Sequence, residues 1–142
     1  MPEVVVCPSC GTKNRVPVAA TGTPRCASCK SDLPWLVDAG ESDFKEAVDT
    51  KLPVLVDLWA PWCGPCRVIA PGVERAATEL AGRLKAVKVN VDEAPEISVR
   101  FGVQGIPTLL ILRDGEPVAR QVGAVPPEQL LAWVRDAVDS QG

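Results

Sequence analysis

The period of the apolar positions changes several times along the chain, and each change marks an element. Val54-Leu55-Val56-Asp57-Leu58-Trp59 is almost continuously apolar, the pattern of a short strand buried on both faces and covered by helices. Trp35-Leu36-Val37 reads as a shorter strand upstream of it. Between the two, Glu41-Ser42-Asp43 is a start signal before Phe44, Ala47 and Val48, so an amphipathic helix of about three turns is expected within 38–50, ended by Leu52-Pro53. A second helix is expected over 63–80, with Pro65 suited to its first turn and Pro71 expected to kink it. The alternating segment 84–91 reads as a strand, Asp92-Glu93-Ala94-Pro95 opens a short helix ending before Gly102, and 106–112 is strongly β-type. Asp114-Gly115 is a hairpin signal leading to a strand over 117–122. Pro126-Pro127-Glu128 then opens a final helix that buries Leu130, Leu131, Val134, Ala137 and Val138. Strand, helix, strand, helix, strand, helix, strand, strand, helix predicts an α/β fold with a central mixed sheet and helices on both faces.

The first 31 residues follow another logic. Val4, Val5, Val6, Val16 and Val18 are their only sizeable apolar groups, and the turn-rich runs Gly11-Thr12-Lys13-Asn14-Arg15 and Thr21-Gly22-Thr23-Pro24-Arg25 add none. So little core cannot offset chain entropy without a staple. Cys7-Pro8-Ser9-Cys10 and Cys26-Ala27-Ser28-Cys29 supply one, since the fifteen residues between Cys10 and Cys26 fall in the window of a four-cysteine zinc site. Zinc binding there becomes folding free energy of about 10 kcal/mol. Four protein ligands leave no open position for water, so the expected ion is structural. This segment reads as a zinc ribbon over 1–31, with the valine runs as short strands. Ser31-Asp32-Leu33-Pro34 ends it with turn chemistry and leaves little linker before a second domain over 32–142. Two disulfides, four free thiols in a disordered tail, or a redox-labile site that ejects its metal on oxidation are the competing readings.

Composition narrows the function classes. At 142 residues and 46% hydrophobic, the chain can bury a core. A net charge of -3, a pI near 5.0 and fifteen scattered basic residues give no footprint for nucleic acid. No apolar run approaches the roughly 20 residues that span a bilayer, and Met1-Pro2-Glu3-Val4 lacks the basic n-region of a secretory signal, so no membrane role and a cytoplasmic location are expected. In a reducing compartment six cysteines in three Cys-x-x-Cys pairs point to metal binding and catalysis rather than to a disulfide scaffold. The chain has no histidine. Proton transfer and metal ligation therefore fall to thiols, carboxylates, lysines or water.

The third pair, Cys63 and Cys66, follows an apolar strand and opens a helix. Free N–H groups and the macrodipole at a helix start favour a Cys63 thiolate, while Cys66, one turn further in, is expected to be more buried. That division makes Cys63 the attacking thiol and Cys66 the resolving one in disulfide exchange. Read instead as a metal knuckle like the other two, it would need a second pair, and Cys7, Cys10, Cys26 and Cys29 already form a complete set. Asp57 interrupts the buried strand at a cost of several kcal/mol if ionised. It is the leading candidate for a proton acceptor behind the cysteines, against the plainer reading of a hydrated or lysine-paired carboxylate. Trp59 and Trp62 flank the pair, with core packing the plainer role, more so for Trp59.

Trp59-Ala60-Pro61-Trp62-Cys63-Gly64-Pro65-Cys66 resembles the active-site signature of the thioredoxin family. The likeness continues through Lys88-Val89-Asn90-Val91-Asp92, Gly105-Ile106-Pro107-Thr108 and Gly123-Ala124, covering roughly 33–142, and the added ribbon is similar to the zinc-containing bacterial subtype, thioredoxin 2. The resemblance implies a thioredoxin fold and a protein-disulfide reductase, resembling the reducing members of the fold through its Gly-Pro, recharged by thioredoxin reductase, without an organic cofactor and monomeric. It implies that Lys88 tunes Asp57, that Pro107 is cis and faces the Cys63–Cys66 pair, and that Trp62, Gly64, Pro65, Ile106, Pro107 and Gly123 form the docking surface, with the Ile106 backbone pairing to an extended substrate segment. From the residues alone, Lys88 reads equally well as a solvated strand lysine, and a trans Pro107 has the better odds. A functional alternative makes the ribbon a zinc-dependent interaction or redox-sensing module carried on the second domain, or a chaperone released by zinc loss.

Overall fold

The computed structural model describes residues 3–16, 18 and 23–141. The turn expected at Thr21-Gly22 and the start at Met1-Pro2 lie outside the described residues. A two-stranded antiparallel hairpin, β1 (Glu3–Val6) and β2 (Lys13–Val16), comes first. Then follow β3 (Leu36–Asp38), α1 (Phe44–Ala47), β4 (Val54–Trp59), α2 (Gly64–Glu79), β5 (Lys85–Asn90), α3 (Pro95–Arg100), β6 (Thr108–Arg113), β7 (Glu116–Val122) and α4 (Pro127–Gln141). The second sheet has the order β3-β5-β4-β6-β7, with β3, β5 and β4 parallel and β6 and β7 antiparallel. It is the expected mixed sheet.

β4 lies at the centre, bonded on both sides, which is why its sequence is nearly all apolar. Its alternate residues separate two cores. Val54, Val56 and Leu58 face Phe44, Ala47, Ile97 and Phe101 of the α1–α3 side. Leu55 faces Ile69, Val73, Leu130 and Val134 of the α2–α4 side. α2 and α4 are in close contact at Gly72, where a Cβ would stand 2.8 Å from Leu130 Cδ2. Pro71 sits inside α2, and the helix continues through it to Glu79.

The helix expected within 38–50 is much shorter than three turns. The sheet claims its front end: Ala39 N donates to Lys88 O at 2.9 Å, extending the β3 ladder. Helical bonding begins only with Phe44 N to Gly40 O at 2.9 Å, and the Asp43 carboxylate accepts from Gly40 N at 2.7 Å rather than capping the helix from within. Pro107 lies just before β6, an interior strand, so it costs the ladder no donor. The Ile106–Pro107 peptide bond is cis, as the resemblance implies and against the odds from the residues alone. Among the described residues no helix is long and apolar enough to cross a membrane.

Candidate functional site

β4 ends at Trp59, and the chain turns at once: Cys63 N donates to Ala60 O at 3.1 Å, and α2 begins at Gly64. Cys63 is the N-cap of α2 in an extended conformation, and its Sγ accepts from Cys66 N at 3.2 Å. That bond presents an unpaired helix N–H to the sulfur, the arrangement that stabilises a thiolate. The two sulfurs stand 2.31 Å apart, at disulfide distance. The expected difference in burial is absent, since Cys63 and Cys66 are each 4% exposed. In the bonded pair each sulfur covers the other, and Ala60, Trp59, Val91 and Ile106 pack around both.

The surface around the pair is made of Trp62, Gly64 and Pro65, all exposed, with Ile106 half-buried against the cysteines. Trp62 is 68% exposed, and its indole N–H donates to the two carboxylate oxygens of Asp92 at 3.0 and 3.3 Å. A large apolar ring held open to solvent by a carboxylate is not part of the core. Trp59 is half-buried, as core packing requires, although its Nε1 is buried with no hydrogen-bond partner among the described residues. Gly123 adopts φ +90° and donates to Pro107 O at 2.9 Å, which joins the end of β7 to the cis-proline loop. Nothing stands within 4 Å of where a Cβ would be at Gly64 or Gly123, so the backbone there is open.

Asp57 lies in β4 opposite Lys88 of β5 and Leu109 of β6. It is buried, and its Oδ1 has no hydrogen-bond partner among the described residues. Burial pushes its carboxyl up to about 6; the Lys88 ammonium pulls it down and the Asp38 carboxylate pushes it up. A carboxylate with a free lone pair and a pKa near neutrality is equipped to accept a proton. Lys88 is half-buried, with Nζ 4.8 Å from the centre of the Trp59 ring. It lies opposite Asp57 in register and also borders two surface grooves.

The four N-terminal cysteines converge. Their Sγ atoms all lie within 4.8 Å of one another, with Cys7–Cys29 at 3.6 Å and Cys10–Cys26 at 3.5 Å. These separations are too long for disulfides and match the roughly 3.8 Å edge of a sulfur tetrahedron built on Zn–S bonds of about 2.3 Å. The two knuckles repeat one another: Cys7 N donates to Thr12 O and Gly11 N to Cys7 O, as Cys26 N donates to Ser31 O and Lys30 N to Cys26 O. Gly11 and Lys30 both take positive φ, at 80° and 67°. Cys26 is pulled down to about 6, chiefly by the Cys29 N–H and further by Asn14, against its burial. Asn14 braces the cluster, donating to Cys26 Sγ and Thr12 O and accepting from Ala27 N at 3.0 Å.

Three side chains beside the sites escaped the sequence reading. Asp92 holds Trp62, Arg67 donates to Pro61 O at 2.6 Å, and Asn14 braces the cysteines. Asn14 lies within β2, Arg67 in the first turn of α2 and Asp92 just after β5, and the contact each makes is not announced by the spacing of apolar residues.

The thioredoxin family profile matches residues 35–136. The thioredoxin of Haemophilus influenzae is 46% identical over 99 residues, covering 69% of this chain and 92% of that protein. Thioredoxin 1 of Nostoc is 52% identical over 87 residues, 61% of this chain and 81% of the relative. Chloroplastic thioredoxin M5 of rice is 38% identical over 135 residues, 91% of this chain and 78% of the relative. With the mixed five-stranded sheet, the Cys63–Cys66 pair capping α2 and the cis Pro107 already in place, these matches establish that the chain belongs to the thioredoxin family.

Proposed function

We propose that the protein is a thiol–disulfide oxidoreductase that reduces protein disulfides by dithiol exchange through Cys63 and Cys66. The observation that carries the reading is the Cys63–Cys66 pair at disulfide distance on the first turn of α2, in a chain of the thioredoxin family. The reduced enzyme starts with a Cys63 thiolate, favoured by the helix start and by the Cys66 N–H. It attacks one sulfur of the substrate disulfide; a Cys63–substrate bond forms, the substrate S–S bond breaks, and the second substrate sulfur leaves as a thiolate that takes a proton from water. Asp57 then accepts the proton of the Cys66 thiol. The Cys66 thiolate attacks Cys63, the Cys63–Cys66 bond forms, and the first substrate sulfur is released. Two electrons have passed from the dithiol to the substrate, and a reductase partner returns the enzyme to its dithiol form.

Trp62, Gly64, Pro65, Ile106, Pro107 and Gly123 are the proposed docking surface, supported by the exposure of Trp62, Gly64 and Pro65 and by the open backbone at Gly64 and Gly123; Ile106 and Gly123 are half-buried and the Pro107 ring is buried. Lys88 tunes Asp57 in this reading. Cys7, Cys10, Cys26 and Cys29 are proposed to hold one structural zinc, supported by their sulfur separations. Such an ion would join the two knuckles, and no step of the exchange passes through it. The protein is proposed to work as a monomer in the cytoplasm, where a dithiol stays reduced.

Reduction of insulin disulfides tests the proposal. Cys63→Ser is expected to fall to the uncatalysed rate, because its thiolate starts the exchange. Cys66→Ser is expected to lose turnover while accumulating a mixed disulfide visible by mass spectrometry. Full activity in both variants would overturn the reading.

A further inference from the structure

Asp57 belongs to a row of three charged residues that crosses three strands. Asp38 of β3 is opposite Lys88 of β5, and Lys88 is opposite Asp57 of β4. Residues that face one another across neighbouring strands project to the same side of the sheet. The neighbouring rows identify that side. Leu36, Ala86 and Leu55, two positions back, pack together in the α2–α4 core, whereas Val37, Val87 and Val56, between the rows, pack in the opposite one. Asp38, Lys88 and Asp57 therefore share the α2 face, on which the cysteine pair also sits.

Exposure rises along the row. Asp57 is buried, Lys88 half-buried and Asp38 exposed on the edge strand. Two surface grooves reach the row's outer end, one bordered by Asp38, Lys88 and Glu74 of α2, the other by Asp38, Lys88, Trp59 and Glu93. In register Lys88 thus stands between an inner carboxylate whose Oδ1 has no hydrogen-bond partner among the described residues and an outer, exposed carboxylate. Two strand spacings separate the carboxylates' backbones by about 10 Å. At that distance the ammonium between them is a stronger influence on Asp57 than the far carboxylate is.

We propose that Asp38 is a positioning residue for the proton-transfer step, drawing the Lys88 ammonium toward solvent and so keeping Asp57 basic enough to take the Cys66 proton. The inference rests on the reading of Asp57 as that acceptor. The opposing effects of Lys88 and Asp38 on Asp57 agree with it. The proton accepted by Asp57 leaves to water in the groove beside Lys88, and the row returns to its starting charge. The charged groups acting on Asp57 are Lys88 of β5 and Asp38 of β3, while Glu74 of α2 and Glu93 before α3 border the grooves at the row's outer end.

The test follows the Asp57 carboxyl by carbon NMR titration, together with the pH profile of insulin reduction, in Asp38→Asn, Lys88→Met, Glu93→Gln and Asp57→Asn. In Asp38→Asn the Asp57 midpoint is expected to move to lower pH, and the acid limb of the rate profile to move with it. Lys88→Met is expected to move both the other way. Glu93→Gln, which removes a carboxylate from the same groove but not from the row, is expected to shift the midpoint less. An unmoved midpoint in Asp38→Asn, or an equal shift in Glu93→Gln, overturns the role of Asp38. A wild-type rate profile in Asp57→Asn overturns instead the assignment of Asp57 as acceptor, and the two failures are read from different variants.

Discussion

Asp57 works against the strand that carries it. Its carboxyl titrates at about 6 in the folded chain against 3.8 for a free one, and burial is the main cause. The folded state therefore holds this proton more tightly than the unfolded state. The associated stability is fully present below about pH 4 and is lost as pH rises through about 6. The loss is about 3 kcal/mol, at 1.36 kcal/mol per unit. Asp57→Asn keeps the shape without the charge, so it is expected to stabilise the oxidised protein by up to about 3 kcal/mol at pH 8 and to change little at pH 3.5. Urea denaturation at the two pH values measures this, and an equal effect at both would exclude the ionisation as its cause. Asp57 was legible in the sequence because it interrupts an apolar run. Lys85 was not: it is 0% exposed, yet a lysine in an alternating strand looks solvated. Its ammonium donates to the Val18 carbonyl and lies 4.2 Å from the centre of the Trp35 ring, partners distant in sequence that no local pattern announces.

At the scale of elements, the two cysteine knuckles are local structures. Each is closed by a pair of backbone bonds within six residues, and each ends in a residue of positive φ. Lys30 takes that conformation without glycine's freedom, at a cost of about 1 kcal/mol, which the closing bonds and a shared ion would offset. One zinc per chain is expected by metal analysis, retained after Cys63 and Cys66 are alkylated. Cys26→Ser removes one of the four ligands and the thiol that Asn14 braces, and is expected to lose most of the metal together with the circular-dichroism signal of the β1–β2 hairpin. A metal-free wild-type chain with an intact hairpin would contradict the zinc reading. Such spacing is legible because ligand geometry is set within four residues. The length of α1 was not legible, because β3 draws Ala39 into its ladder with Lys88, a residue 49 positions later in the sequence. The cis bond before Pro107 came from family likeness, since nothing local in Gly105-Ile106-Pro107-Thr108 favours it.

Across the whole molecule, the core runs unbroken past Ser31-Asp32, where the sequence suggests a boundary. Cys7, Val16, Val18 and Cys26 pack in one cluster with Leu33, Trp35, Val37, Phe44 and Val87. Arg25 and Asp32 form an isolated bridge, Leu33 N donates to Pro24 O at 3.0 Å, and Lys85 reaches Val18 from the central sheet. The ribbon is thus seated on the family fold through buried apolar contacts, and an ammonium pulled down to about 8 by burial lies at the junction. Packing of this kind couples the unfolding of the two parts. Val16 is the residue to test, being fully buried in the hairpin and offering no ligand atom to the cysteine cluster. Val16→Ala removes two methyl groups and is expected to cost about 2 kcal/mol. In a coupled molecule, hairpin loss and tryptophan fluorescence should report one transition, shifted as a whole to lower denaturant. Two transitions, with only the hairpin's moved, would mean that the ribbon and the sheet fold independently despite their common core.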